Sequence, residues 1–150
     1  MDSQFLAELV FPGQESAVSV VRQSVRHVLK AAGHQDTYDA EVIVSELVAN
    51  AIKHTASGQA GGLVIASVAG IGNTTTIIEV IDQGAPTVPR MCEPADDECS
   101  GRGLYLVASL AAQWGVEGDV FGGRRVWAEV LTVESAPVVA VAASLLDVEP

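Results

Sequence analysis

The sequence predicts a two-layer α+β sandwich: one mixed, mostly antiparallel sheet covered on one face by three helices. Three observations carry this. Runs rich in β-branched residues at 63–69 and 74–81 flank a short glycine-containing turn, as in a hairpin, and 114–120 with 125–133 give a second strand pair around Gly122-Gly123. Apolar residues recur at three- and four-residue spacing over 15–32, 36–55 and 101–112. The resulting order β, α, α, β, β, α, β, β groups helices against hairpin-linked strands and lacks the alternation of a parallel sheet built from βαβ units. At 150 residues the chain suits one domain, which buries roughly two thirds of the surface its unfolded chain exposes.

Each element has a local cause. Residues 4–11 alternate loosely and stop at Pro12-Gly13, a turn signal, which predicts a first strand. In the first helix Val18, Val21, Val25, Val28 and Leu29 form the apolar stripe, Arg22, Arg26 and Lys30 occupy other faces, and Gly33 ends it. His27 and His34 read as surface residues. Asp36, with Asp39 three residues on, is placed to accept from the free N–H groups of the second helix and to offer charge to its positive end. The stretch 83–100 has three prolines, no sustained periodicity and an acidic cluster at Glu93, Asp96, Asp97 and Glu98, which reads as a functional lid or a disordered loop. The main domain is expected to span residues 1–133. A tail at 134–150 is apolar at Val138, Val139, Val141, Ala142, Leu145 and Leu146 and has Pro137 placed to open a short helix.

Composition excludes several classes of function. Eight Lys and Arg against nineteen Asp and Glu leave a net charge of −11, which disfavours direct binding of nucleic acid or an anionic membrane surface. No apolar stretch reaches the ~20 residues of a membrane helix and no basic-then-apolar leader opens the chain, so a soluble cytoplasmic protein is expected. Cys92 and Cys99 are too few for a disulfide scaffold and their spacing matches no common zinc motif, so they read as reduced thiols.

Three groups of residues point to chemistry. On the second helix Glu46 and Asn50 share a face, with His54 one turn further, while Ile43, Leu47, Val48 and Ala51 point to the core. A strongly apolar strand ends in Asp82-Gln83-Gly84, where the Asp can accept from a ligand's amino group and Gly84 permits close approach of backbone or ligand. Gly101-Arg102-Gly103-Leu104 stands where the irregular stretch meets the third helix, and glycines with free N–H groups there make an anion site suited to phosphate. Singly each group is common; their order and spacing, with a lid between the second and third, are specific.

Together they resemble the GHKL (Bergerat-fold) ATPase superfamily, and within it the stand-alone domains similar to anti-sigma-factor serine/threonine kinases. Residues 45–55 look like its Asn box, Asp82-Gln83-Gly84 like its adenine box and residues 100–104 like its glycine box, a likeness covering about 15–130. The resemblance implies a histidine-kinase-like ATP-binding domain of the Bergerat type, with Asn50 coordinating Mg²⁺ that bridges the ATP phosphates. It implies Glu46 as the catalytic residue that orients or deprotonates the attacking hydroxyl, Asp82 as acceptor for the adenine amino group, and Gly84 as room for the base. Gly101, Arg102, Gly103 and Leu104 would hold the phosphates, with His54 and Lys53 near them. The implied partners are a sigma factor or similar transcription regulator and a small antagonist protein with a phosphorylatable serine; a homodimer is compatible. Related chains often carry a Thr on the last strand near the adenine, and the alignment puts Arg125 there. The alternative is a non-catalytic module that docks a regulator on the same scaffold, with or without ATP.

Overall fold

The loose alternation at the start of the chain becomes strand β1 (Gln4–Pro12), and the apolar stripe after it becomes helix α1 (Ala17–Ala31). Helix α2 (Tyr38–His54), strands β2 (Leu63–Ile71) and β3 (Thr75–Asp82), helix α3 (Gly103–Leu110) and strands β4 (Gln113–Gly118) and β5 (Arg124–Leu131) follow in the expected order. The computed structural model describes residues 2–84, 103–118 and 122–133. The expected lid, Cys92, Cys99, Gly101, Arg102 and the tail at 134–150 lie outside the described residues.

The strands form one sheet in the order β1-β2-β3-β5-β4. All four pairings among the described residues are antiparallel, so the expected mixed character is absent from them. β5 thus lies between β3 and β4, and the chain reaches it only after passing through α3 and the edge strand β4. At the other edge, the β1–β2 register shifts between Phe5 and Ala7, a bulge that leaves Phe5 63% exposed.

The three helices cover one face. Val21, Val25 and Leu29 of α1 recur every fourth residue and are buried against Ile43, Val44, Leu47, Val48 and Ala51 of α2 and against Val64, Ala66, Val68, Ile78, Val80, Val126, Ala128 and Val130 of the sheet. Period two in the strands and 3.6 in the helices deliver these residues to a common layer, each large side chain contributing about 1.5–3 kcal/mol relative to exposure. The opposite face of the sheet carries Ile65, Ile77, Ile81 and Trp127, all partly exposed.

Two polar groupings inside this frame were not anticipated. Glu41 is buried at the start of α2, where Arg26 of α1 donates to its Oε1 through Nε at 2.9 Å and Nη2 at 2.7 Å, and the Thr37 hydroxyl donates to Oε2 at 2.7 Å. Burial pushes the Glu41 carboxyl up, but these partners outweigh it and hold it below the usual carboxylate value. Asp36 accepts from the N–H of Tyr38 at 3.2 Å, as a capping residue should, although the helix begins one residue later than that role implies.

His34 is not at the surface: it is 2% exposed, which corrects the sequence reading, whereas His27 is exposed as expected. Its Nδ1 lies 2.6 Å from the Thr132 hydroxyl, which is 3.0 Å from the hydroxyl of Thr76, and both threonines are fully buried. The two hydroxyls gather at Nδ1, while Nε2 is buried without a hydrogen-bond partner among the described residues. Burial lowers the pKa of His34 from its usual value. No helix among the described residues is long and apolar enough to cross a membrane.

Candidate ATP-binding site

The site is built at the end of the sheet where β3 stops and α2 turns back. Glu46 and Asn50 stand one turn apart on α2, half-buried, while Lys53 and His54 at its last turn are exposed. Their helix is anchored on the opposite stripe by the buried Ile43, Leu47, Val48 and Ala51, as the spacing predicts.

Gly103, the first residue of α3, lies against both polar side chains. A Cβ built on it would stand 2.6 Å from Glu46 Oε2, 3.1 Å from Asn50 Nδ2 and 3.4 Å from Asn50 Oδ1. Only hydrogen fits there without displacing the carboxylate. The start of α3 therefore meets the Glu46–Asn50 pair, and two segments more than fifty residues apart in the chain share one spot. Leu104, next in line, is buried and fastens α3 to the core.

Asp82 closes β3 and is 5% exposed. Its Oδ1 accepts from the Gly84 N–H at 2.7 Å and lies 3.6 Å from Nε of Arg124, its direct cross-strand partner on β5. Burial pushes the Asp82 carboxyl above its usual value, and the Gly84 amide and the Arg124 guanidinium oppose that rise. Gly84 has φ of 87°, and a Cβ on it would meet the Gly122 carbonyl oxygen at 2.0 Å. Both of its expected properties are needed: positive φ turns the chain off the sheet, and the close approach is made by the backbone of Gly122.

The loop after α2 joins these groups. The Thr55 hydroxyl donates to the Ala51 carbonyl at 2.6 Å and accepts from the Ser57 N–H at 3.1 Å, which starts a 3-10 turn over Ala56–Gly58. From that turn the Ala56 N–H donates to the Gly84 carbonyl at 2.9 Å, and the Ser57 hydroxyl accepts from the Gln83 N–H at 2.9 Å. The end of the Glu46–Asn50 helix is thereby tied to the Asp82–Gly84 corner. All three sequence groups are brought to one end of the molecule, with Gly103 and Leu104 representing the third. A surface groove of about 410 Å³ at the α1–α2 corner, lined by Arg26, Lys30 and Tyr38 among others, includes none of them.

Arg125 does not stand where the alignment put it. It pairs with Ile81 in register, and its side chain lies on the helix-free face between Glu79 and Glu117, at 3.6 and 3.7 Å. Arg124, one residue earlier, alternates with the buried Val126, Ala128 and Val130 and is the arginine beside Asp82. The sequence signal that could have found it is the period-two set Val126, Ala128 and Val130, which Arg124 shares and Arg125 does not.

The profile of the histidine kinase-like ATPase domain matches residues 11–129. The chain belongs to that family. Membership in the histidine kinase-like ATPase domain family implies ATP binding, and the expected GHKL fold is borne out by the sheet and its three helices. Among solved structures, the RsbU and RsbW domains of Rv1364c from Mycobacterium tuberculosis are similar, with 19% identity and a TM-score of 0.58. The match covers 91% of this chain and 35% of that one, and at this identity it shows the shared fold. No curated protein matches this sequence.

Proposed function

We propose that this member of the histidine kinase-like ATPase domain family is a cytoplasmic Mg²⁺-ATP-binding regulator of transcription. In this reading it is an anti-sigma factor that phosphorylates a serine or threonine on a small antagonist protein and exchanges partners with nucleotide state. The observation that carries the reading is the convergence of Glu46 and Asn50 on the cradle at Gly103, which a single methyl group would fill. The Asn50 amide oxygen is a hard donor that suits magnesium and its retained waters, and the Glu46 carboxylate beside it suits a proton acceptor. A helix start free of side-chain bulk suits phosphate. The similarity to a structure containing an RsbW domain supports the anti-sigma class at the level of fold.

Bound Mg²⁺-ATP would supply the transferable γ-phosphoryl group. Asn50 would hold the metal, and Asp82 would accept from the base amino group with Gly84 keeping the corner tight. Gly103 and Leu104, with Gly101, Arg102 and His54, would surround the phosphates. Glu46 would take the proton of the attacking hydroxyl as its oxygen bonds to phosphorus, while the bond to the leaving ADP oxygen breaks.

Calorimetric titration of ATP with and without Mg²⁺, on the wild type and Asn50→Ala, tests the first step. Mg²⁺-dependent binding that Asn50→Ala weakens by roughly tenfold is expected. A folded wild type that binds no ATP would instead favour the docking module. Phosphate transfer to a captured antagonist, lost in Glu46→Ala with ATP binding retained, tests the second.

A further inference from the structure

Asp82 is held by two partners that both act on one of its oxygens. The Gly84 amide reaches Oδ1 at 2.7 Å from the chain's own turn, and Arg124 approaches the same oxygen at 3.6 Å from the neighbouring strand. Asp82 and Arg124 are paired residues in the β3–β5 ladder, and both are at least nine-tenths buried. A carboxylate with only an amide bond on one oxygen can still rotate about its Cβ–Cγ bond, because that terminal torsion is broad. A guanidinium at ion-pair distance from the same oxygen, on a strand-paired neighbour, adds charge attraction that burial leaves weakly screened and that favours one orientation of the carboxylate.

Resting on the ATP reading above, we propose that Arg124 is a positioning residue for base recognition: it fixes Asp82 Oδ1 so that the second carboxylate oxygen is presented to the amino group of a 6-aminopurine. The same fixed acceptor faces a 6-oxopurine with an oxygen, two lone pairs against a negative charge, and rejects it. Gly84 alone would hold the carboxylate in place less tightly and let it turn its bonded oxygen away. Arg124 thus acts through Asp82 on the choice between amino and oxo bases. Arg125, engaged with Glu79 and Glu117 on the other face, has no part in it.

The test compares ATP and ITP binding by the wild type, Arg124→Gln and Arg124→Lys, with thermal melts to confirm folding. Expected are at least tenfold weaker ATP binding by Arg124→Gln, a fall in its preference for ATP over ITP, and an intermediate, roughly threefold, loss in Arg124→Lys. A merely structural role would weaken both nucleotides alike and leave their ratio unmoved, which overturns the proposal. Wild-type ATP affinity in both variants overturns it equally; should Arg124→Gln fail to fold, Arg124→Lys alone decides by the same two criteria. A wild type that binds ATP while the ratio stays constant sinks only the role of Arg124. A folded wild type that binds neither nucleotide removes the ATP reading itself, and this proposal with it.

Discussion

Strands β3 and β5 carry buried polar side chains at both ends, and the two ends differ in kind. At one end Asp82 and Arg124 are charged partners in register, in a corner tied by the turn after α2 to the helix that carries Glu46 and Asn50. At the other, the hydroxyls of Thr76 and of Thr132, just beyond β5, meet the imidazole of His34. The neutral cluster spends its donors and acceptors largely on itself and locks the α1–α2 connection onto the sheet, where the Asp36 N–H also donates to the Thr132 carbonyl at 3.1 Å. The charged end keeps a carboxyl pushed above its usual value by burial. Holding a carboxylate in an apolar setting is unfavourable for folding alone, and that is the kind of local inconsistency expected where binding is at stake. One pair of strands thus has a proposed binding end and a fastening end.

Substitutions at each end should separate these roles. Asp82→Ala should weaken ATP binding by about two orders of magnitude or more while the melting temperature changes by only a few degrees, because a charged hydrogen-bond partner for the base is lost from the binding end. Titration calorimetry beside a thermal melt checks both halves; a collapse in stability with binding intact would reverse the assignment. Gly103→Ala follows, at roughly tenfold weaker binding, since its methyl group must displace the Glu46 carboxylate from 2.6 Å. At the fastening end, His34→Leu should lower stability by about 1–3 kcal/mol by leaving buried hydroxyls short of a partner, with ATP affinity unchanged.

The smallest expected effect is the pH dependence of stability. His34 has a pKa below its usual 6.5 in the folded chain, so the unfolded chain binds its proton first as pH falls. Its contribution is full above about pH 6.5 and is lost as pH drops toward the folded value. Glu41, held below its usual 4.5, adds a second loss that begins under about pH 4.5, when the bonds from Arg26 and Thr37 are broken by protonation. Urea unfolding from pH 8 to 3 should show both steps for the wild type and only the lower one for His34→Gln. A first step of equal size in His34→Gln would place its origin elsewhere.

The binding end was largely legible in the sequence and the fastening end was not. Glu46, Asn50 and the buried stripe opposite them follow from helical spacing alone, and Asp82-Gln83-Gly84 from a strand that ends in turn chemistry. These are local patterns. His34 is buried by hydroxyls 42 and 98 residues away, and no local pattern contains that information. Choosing Arg124 over Arg125 was within reach of strand periodicity: Arg124 falls in the same alternate set as the apolar Val126, Ala128 and Val130, and pairing with β3 then sets it opposite Asp82. Glu41 reads as an ordinary surface residue of a helix's first turns until α1 is laid beside it and supplies Arg26.

Among the described residues strand β1, nine residues long, forms one border of the sheet, and a border strand can offer backbone groups as a template on which another chain can grow. The slip between Phe5 and Ala7 interrupts that row, and the exposed carboxylate of Glu8 follows directly after it. A neighbouring copy laid along β1 would find its ladder broken within a few residues and a like charge opposite its own. For a chain with a mean hydropathy of +0.33, both features work against edge-to-edge growth along this border.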